Sequence, residues 1–201
     1  MTMKNKPMMA HPAESLVLAR VSPDLKVRLA RISLMVFDVD GILTDGSLWY
    51  GESGEVFKRF HALDGHGLKM LATSGIKVAL VTGREGPIVG RRAAELGLGD
   101  VMQNVRDKGA ALASLATRYN IPLEQTGFMG DDLIDLAAMQ KAGFAATVPE
   151  APMYISQAAH WVSSKPAGSG AARECCDMIL AAQCKLGAFF QPGLLGPGVI
   201  Q

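Results

Sequence analysis

The chain has 201 residues, 49% of them hydrophobic and 19% charged, with a formal net charge of +1. That composition suits one globular domain with a substantial core, and the near-neutral balance excludes a basic nucleic-acid surface or an acidic disordered tail as its organising feature. The three cysteines, Cys175, Cys176 and Cys184, lack CxxC spacing, so they read as reduced thiols of a cytoplasmic protein rather than a disulfide frame or metal site. Near the start, Pro7, His11, Pro12 and Glu14 break any apolar run, which argues against a signal peptide or anchor. No later segment approaches the ~20 apolar residues of a membrane-spanning helix.

Residues 1–21 read as an N-terminal tail, loose up to about Ser15. Ser22, Pro23 and Asp24 are a helix-start signal, a capping hydroxyl followed by proline in the first turn, and predict a short helix through Arg31. Leu34, Met35, Val36 and Phe37 form a brief apolar run that ends at Asp38 and predicts a buried strand. Two strand-like runs follow, 47–50 and 55–60, around Gly51-Glu52-Ser53-Gly54, and predict a β-hairpin inserted directly after the first strand. The remainder alternates. Helices are expected over 66–73 (capped by Asp64), 87–96, 108–119, 132–142 and 171–185. Strands are expected over 77–81, 101–103, 126–129 and 144–148. The last segment, 191–201, is rich in Gly and Pro and reads as an irregular tail. The fold class is therefore α/β: a parallel sheet with helices on both faces, over residues 22–190, with the hairpin at 47–60.

Ligands of open parallel sheets bind beyond the carboxyl ends of the strands. At those ends stand Asp38-Val39-Asp40-Gly41, Thr82-Gly83-Arg84 and Gly130-Asp131-Asp132, and Lys108 opens a helix of the same series. Asp38, Asp40, Asp131 and Asp132 would repel one another, and Mg²⁺, which takes a few carboxylates plus a substrate phosphate oxygen, relieves that conflict. A lone DxDG is commonly a turn; GDDxxD after a second apolar strand makes the pair a site. Asp38 is placed to attack phosphorus and carry an aspartyl-phosphate. Asp40 is placed to protonate the leaving oxygen and then deprotonate the hydrolytic water. Thr82 can hold the transferring phosphoryl group. Lys108 lies in a helical first turn, where the dipole disfavours a cation, so a role in neutralising phosphate and Asp38 explains it better than stability does. Asp135 either orients Lys108, completes the outer shell of the metal, or is a surface acid of its helix.

DVDGILTDG (38–46), VTGR (81–84), Lys108 and GDDLID (130–135), in that order, resemble the four motifs of the haloacid-dehalogenase-like phosphohydrolases. The match spans residues 34–148. The hairpin, the F-x-x-x-D-G of residues 60–65 and GSGAARE (168–174) are similar, within that superfamily, to the 3-deoxy-D-manno-octulosonate 8-phosphate phosphatase family, which extends the likeness to residues 32–186. The resemblance implies a Rossmann-like domain without a large cap, Mg²⁺, a phosphorylated sugar acid as substrate, a place in lipopolysaccharide precursor synthesis, and a homotetramer whose hairpins gather between subunits. It makes Asp38 nucleophile and metal ligand, Asp40 acid/base and a metal ligand through its carbonyl, and Asp131 the remaining protein ligand. Thr82 and Lys108 hold phosphate. His61, Ala62, Leu63, Asp64, Gly65, Lys69, Arg84 and Arg92 contact substrate, and Arg173 approaches from a neighbouring subunit.

One departure is Leu63, where the family commonly has a basic residue, so the other cations carry more of the contact with a sugar-acid carboxylate. Three other readings stand beside this one: a phosphatase for another sugar acid, such as a sialic-acid 9-phosphate; a phospho-accepting receiver domain; and an inactive structural tetramer.

Overall fold

The computed structural model describes residues 11–190, and the readings of residues 1–10 and of the 191–201 tail lie outside them. The elements in chain order are α1 (Pro12–Val17), α2 (Pro23–Ala30), β1 (Leu34–Phe37), β2 (Trp49–Gly51), β3 (Gly54–Phe57), α3 (Ala62–Thr73), β4 (Lys77–Val81), α4 (Pro87–Leu96), β5 (Asp100–Met102), α5 (Lys108–Arg118), β6 (Thr126–Met129), α6 (Leu133–Lys141), β7 (Phe144–Thr147), α7 (Met153–Ala158), β8 (Trp161–Val162) and α8 (Ala171–Ala182). Six strands form one parallel sheet in the order β5-β4-β1-β6-β7-β8, and β2 and β3 pair as a separate antiparallel hairpin. No helix among the described residues is long and apolar enough to cross a membrane.

The central strands are apolar throughout because both faces are covered. Met35 and Phe37 of β1, Val78 and Leu80 of β4, and Phe144 and Ala146 of β7 pack with residues of α2, α3, α4 and α8. The alternate residues Leu34, Val36, Ala79, Val81 and Ala145 pack on the other face with Ala111, Leu112 and Leu115 of α5 and Ala138 and Met139 of α6. Beginning at β1, the chain builds the sheet outward to β5 and then outward on the other side to β8. The carboxyl ends of β1, β4 and β6 therefore meet where the winding reverses, the customary binding crevice of such sheets.

Four expectations need correction. Residues 12–17 are not loose: His11 caps α1 through a capping box with Glu14, whose Oε1 also accepts the Gly187 N–H at 2.8 Å, and His11 stacks on Phe190 at 4.7 Å. Those partners lie some 170 positions away in the chain, so no local pattern announces them. Second, α3 begins at Ala62, not 66, and Asp64 does not cap it. Its carboxylate accepts instead from the backbone N–H groups of Gly170 (3.1 Å) and Arg173 (2.8 Å) at the start of α8. Third, α7 and the two-residue β8 close the sheet where no element is predicted. Fourth, β5 starts one residue early and α8 stops at Ala182, where Cys184 takes a left-handed φ of 54°.

The hairpin forms as expected, with Trp49 stacked on Phe57 at 4.9 Å. Leu48, Trp49, Tyr50, Val56 and Phe57 nevertheless remain exposed. A two-stranded ribbon is marginal by itself in water.

Candidate active site

The site grows from the turn after β1. Gly41, at φ +90°, lets this turn run against Asp131: a Cβ there would lie 2.1 Å from Asp131 Oδ2. Asp38 and Asp131 are thereby brought together with Asp135, one carboxylate oxygen of each within 4.8 Å of the others.

Lys108 binds this cluster. Its side chain is 1% exposed, and Nζ lies 2.7 Å from Asp38 Oδ1 and 2.6 Å from Asp135 Oδ1. Burial works against the ammonium, but Asp38 and Asp135 outweigh it and push its pKa upward. Of the roles left open for Asp135, that of a surface acid is excluded. It is fully buried, and its Oδ2 accepts from the backbone N–H groups of Asp131 (3.0 Å) and Asp132 (3.2 Å) while Oδ1 holds Lys108. Asp135 therefore orients Lys108 and the Gly130–Asp132 turn, and its carboxylate also stands with Asp38 and Asp131 in the group that could hold a metal ion. Asp132 is exposed and caps α6, accepting the Leu133 N–H at 2.7 Å, and so stands outside the crowded set expected of it.

Crowding sets the electrostatics. Burial first, then the charge of Asp135, raises the Asp38 carboxyl to about 8 despite Lys108. Burial and Asp135 likewise raise Asp131 to about 7. Asp131 Oδ1 is buried without a hydrogen-bond partner. One lysine does not neutralise three carboxylates, and an orphaned carboxylate oxygen beside Asp38 suits a hard, oxygen-seeking divalent cation.

Thr82 follows β4 and is buried, its Oγ1 accepting the Arg84 N–H at 3.2 Å. Arg84 Nη2 donates to Tyr50 Oη at 2.6 Å, and its Nε stands 3.9 Å from Asp40 Oδ2. Asp40 Oδ1 meets Lys58 Nζ at 2.5 Å, and the same Nζ meets Glu55 Oε1 at 2.8 Å. Lys58, Glu55 and Tyr50 belong to the hairpin and were not among the expected site residues; nothing in their spacing aims them at Asp40. A cleft of about 310 Å³ opens beside Asp131 and is lined also by Gly41, Asp45, Arg59 and Glu150.

The residues of the F-x-x-x-D-G segment are dispersed. His61 is the N-cap residue of α3, and its Nδ1 is buried without a partner. Ala62 and Leu63 are exposed. Asp64 is buried under α8, and burial raises its pKa against the two N–H groups that hold it. Gly65 makes room for Arg92, whose Nη2 would be 2.3 Å from a Cβ there, and the Arg92 guanidinium lies over the Phe60 ring. Burial, and then the nearby charges of Arg173 and Lys69, lowers the pKa of His66, and Arg173 Nε pairs with Asp177 at 2.8 Å. Within one chain these groups bear on the α3–α8 contact.

Residues 91–174 match the haloacid dehalogenase-like hydrolase model. The chain is 41% identical over 165 residues to the 3-deoxy-D-manno-octulosonate 8-phosphate phosphatase of Haemophilus influenzae, covering 82% of this chain and 92% of that protein. It is 39% identical to the Escherichia coli K12 enzyme of the same name, over 83% of this chain and 88% of that one. The Moraxella catarrhalis phosphatase, crystallised with a magnesium ion, a phosphate ion and KDO, superposes with a TM-score of 0.80 at 40% identity, over 82% of this chain and 94% of that one. A hypothetical protein from Xanthomonas campestris superposes at 0.84 with 41% identity, over 86% and 94%.

Proposed function

Because the chain belongs to the haloacid dehalogenase-like hydrolases, as a relative of the 3-deoxy-D-manno-octulosonate 8-phosphate phosphatases, we propose that it hydrolyses that sugar-acid phosphate through an aspartyl-phosphate on Asp38. The observation that carries the mechanism is the buried Lys108, held between Asp38 and Asp135 beside the orphaned oxygen of Asp131.

The Asp38 and Asp131 carboxylates and the Asp40 carbonyl would hold Mg²⁺, the ion in the Moraxella structure. Bound there, Mg²⁺ offsets the negative charge of the phosphoryl oxygens and the carboxylates. Lys108 fixes the Asp38 carboxylate and offers its remaining N–H to a phosphoryl oxygen, and the Thr82 hydroxyl addresses another. Asp38 attacks phosphorus as the bond to the sugar oxygen breaks, and Asp40 gives that oxygen its proton. Water then attacks the aspartyl-phosphate, Asp40 takes a proton from it, and phosphate leaves with Asp38 restored.

Phosphate release from a panel of sugar phosphates, with and without a chelator, tests this reading. A preference for sugar acids that disappears on chelation is expected, as is an inactive but folded Asp38→Asn. Turnover by Asp38→Asn at the parent rate excludes the covalent mechanism. Leu63, exposed at the start of α3 without a cation, favours a second reading, a different sugar acid such as a sialic-acid 9-phosphate. The panel separates the two. The receiver and inactive-scaffold readings find no support among relatives named as phosphatases that align over four-fifths of the chain.

The exposed apolar residues of the hairpin support assembly as a homotetramer, with hairpins covering one another. Cys175 and Cys176, buried as free thiols in α8, support a reducing, cytoplasmic setting.

A further inference from the structure

The hairpin delivers a buried cation to Asp40. Lys58 has a side chain only 2% exposed although the adjoining hairpin residues Val56 and Phe57 are half exposed. Its Nζ contacts Asp40 Oδ1 at 2.5 Å and Glu55 Oε1 at 2.8 Å, so the hairpin's own acid steadies the lysine from behind. The two oxygens of Asp40 thus have different surroundings. Oδ1 is anchored, whereas Oδ2 is buried without a hydrogen-bond partner, and so is Arg84 Nε, 3.9 Å away. An oxygen seated between these two atoms accepts from Arg84 and exchanges a proton with Asp40 Oδ2. A charge-assisted contact on one oxygen fixes the carboxylate plane and presents the other.

We propose that Lys58 is the positioning residue for Asp40: the hairpin, through Lys58 and Glu55, sets which carboxylate oxygen faces the leaving group. This rests on the reading of Asp40 as acid/base. It ties the hairpin, otherwise a candidate assembly surface, to the proton-transfer step.

The test compares Lys58→Met, Lys58→Arg, Asp40→Asn and the Lys58→Met/Asp40→Asn double variant on two substrates. A sugar phosphate has an alkoxide leaving group that needs a proton; p-nitrophenyl phosphate has one that does not. Asp40 also serves as base when water cleaves the aspartyl-phosphate, a step both substrates share, so the quantity compared is the single-turnover rate of leaving-group release. Positioned general acids contribute roughly 10²–10⁴-fold, so Lys58→Met is expected to lower that rate by about 10–100-fold on the sugar phosphate and by less than about 3-fold on p-nitrophenyl phosphate. Lys58→Arg should recover part of the loss. The double variant should be no slower than Asp40→Asn alone, since Lys58 acts only through Asp40. Losses that multiply in the double variant, or a raised KM with an unchanged release rate in Lys58→Met, overturn the proposal and make Lys58 a substrate contact. If Asp40→Asn itself shows no difference between the two substrates, it is the acid/base reading that fails. If Lys58→Met does not fold, Lys58→Arg and Glu55→Gln carry the same comparison, and equal losses on both substrates overturn the proposal.

Discussion

Replacing Lys108 by methionine leaves two carboxylates facing a vacant centre. The ammonium lies 2.7 Å from Asp38 and 2.6 Å from Asp135, both buried, and Asp135 cannot turn away because two backbone N–H groups hold its other oxygen. Removing one partner of a buried ion pair costs about 3–5 kcal/mol. For a domain of this size each kcal/mol is worth about 2–4 °C, so metal-free Lys108→Met should melt roughly 6–20 °C below the parent. The deficit should widen as pH rises, because low pH protonates the stranded carboxylates and removes their repulsion. Added Mg²⁺ should recover part of the stability by binding only the folded state, but not the activity, which falls by at least about 10²-fold when a donor to the transferring group is lost. Thermal melts in chelator at pH 5 and pH 8, repeated with Mg²⁺, measure this. A metal-free variant within about 1 kcal/mol of the parent at both pH values would refute the account of Lys108 as the clamp of the cluster.

The remaining predictions concern the same framework. Asp38 and Asp131 have folded pKa values raised to about 8 and about 7, so their contribution to metal-free stability is present below pH 4 and lost as pH rises through 7–8. Denaturant titrations in chelator should show that decline, and Mg²⁺ should abolish it. Asp64→Ala removes both acceptors at the start of α8 and should cost about 1–3 kcal/mol in urea unfolding, with Asp64→Asn costing less. At Gly168, with φ +55° and a would-be Cβ 2.6 Å from the Thr44 carbonyl carbon, alanine should destabilise the fold and reduce turnover by displacing the 38–46 loop; a fully active Gly168→Ala would show that this loop is not held from behind. Sedimentation at micromolar concentration should give an oligomer for the parent and smaller species for Trp49→Glu, and a monomeric parent would reject the tetramer.

Much of this protein was legible along the chain. Short apolar runs ending in acids, alternating with capped helices, determined the parallel sheet, because a strand buried on both faces must be apolar throughout and a ligand edge must be polar where it ends. Asp38, Thr82, Lys108 and Asp131 were singled out because each follows such a strand or opens the helix after one. What the tertiary structure alone decided is who meets whom across long separations. Asp64 looks like the cap of its own helix yet serves α8, more than a hundred residues on, because the packing of α3 on α8 turns it there. Helical spacing left Asp135 as a Lys108 partner, an outer-shell metal group or a surface acid; the Gly130 turn folds it inward beneath Lys108, and its Cγ lies 2.4 Å from where a Gly130 Cβ would stand. Lys58 is an unremarked cation in a hairpin until the ribbon folds back on Asp40. Local propensity and spacing encode which groups a segment offers; burial, and the pairing of charges that burial compels, is a property of the assembled chain.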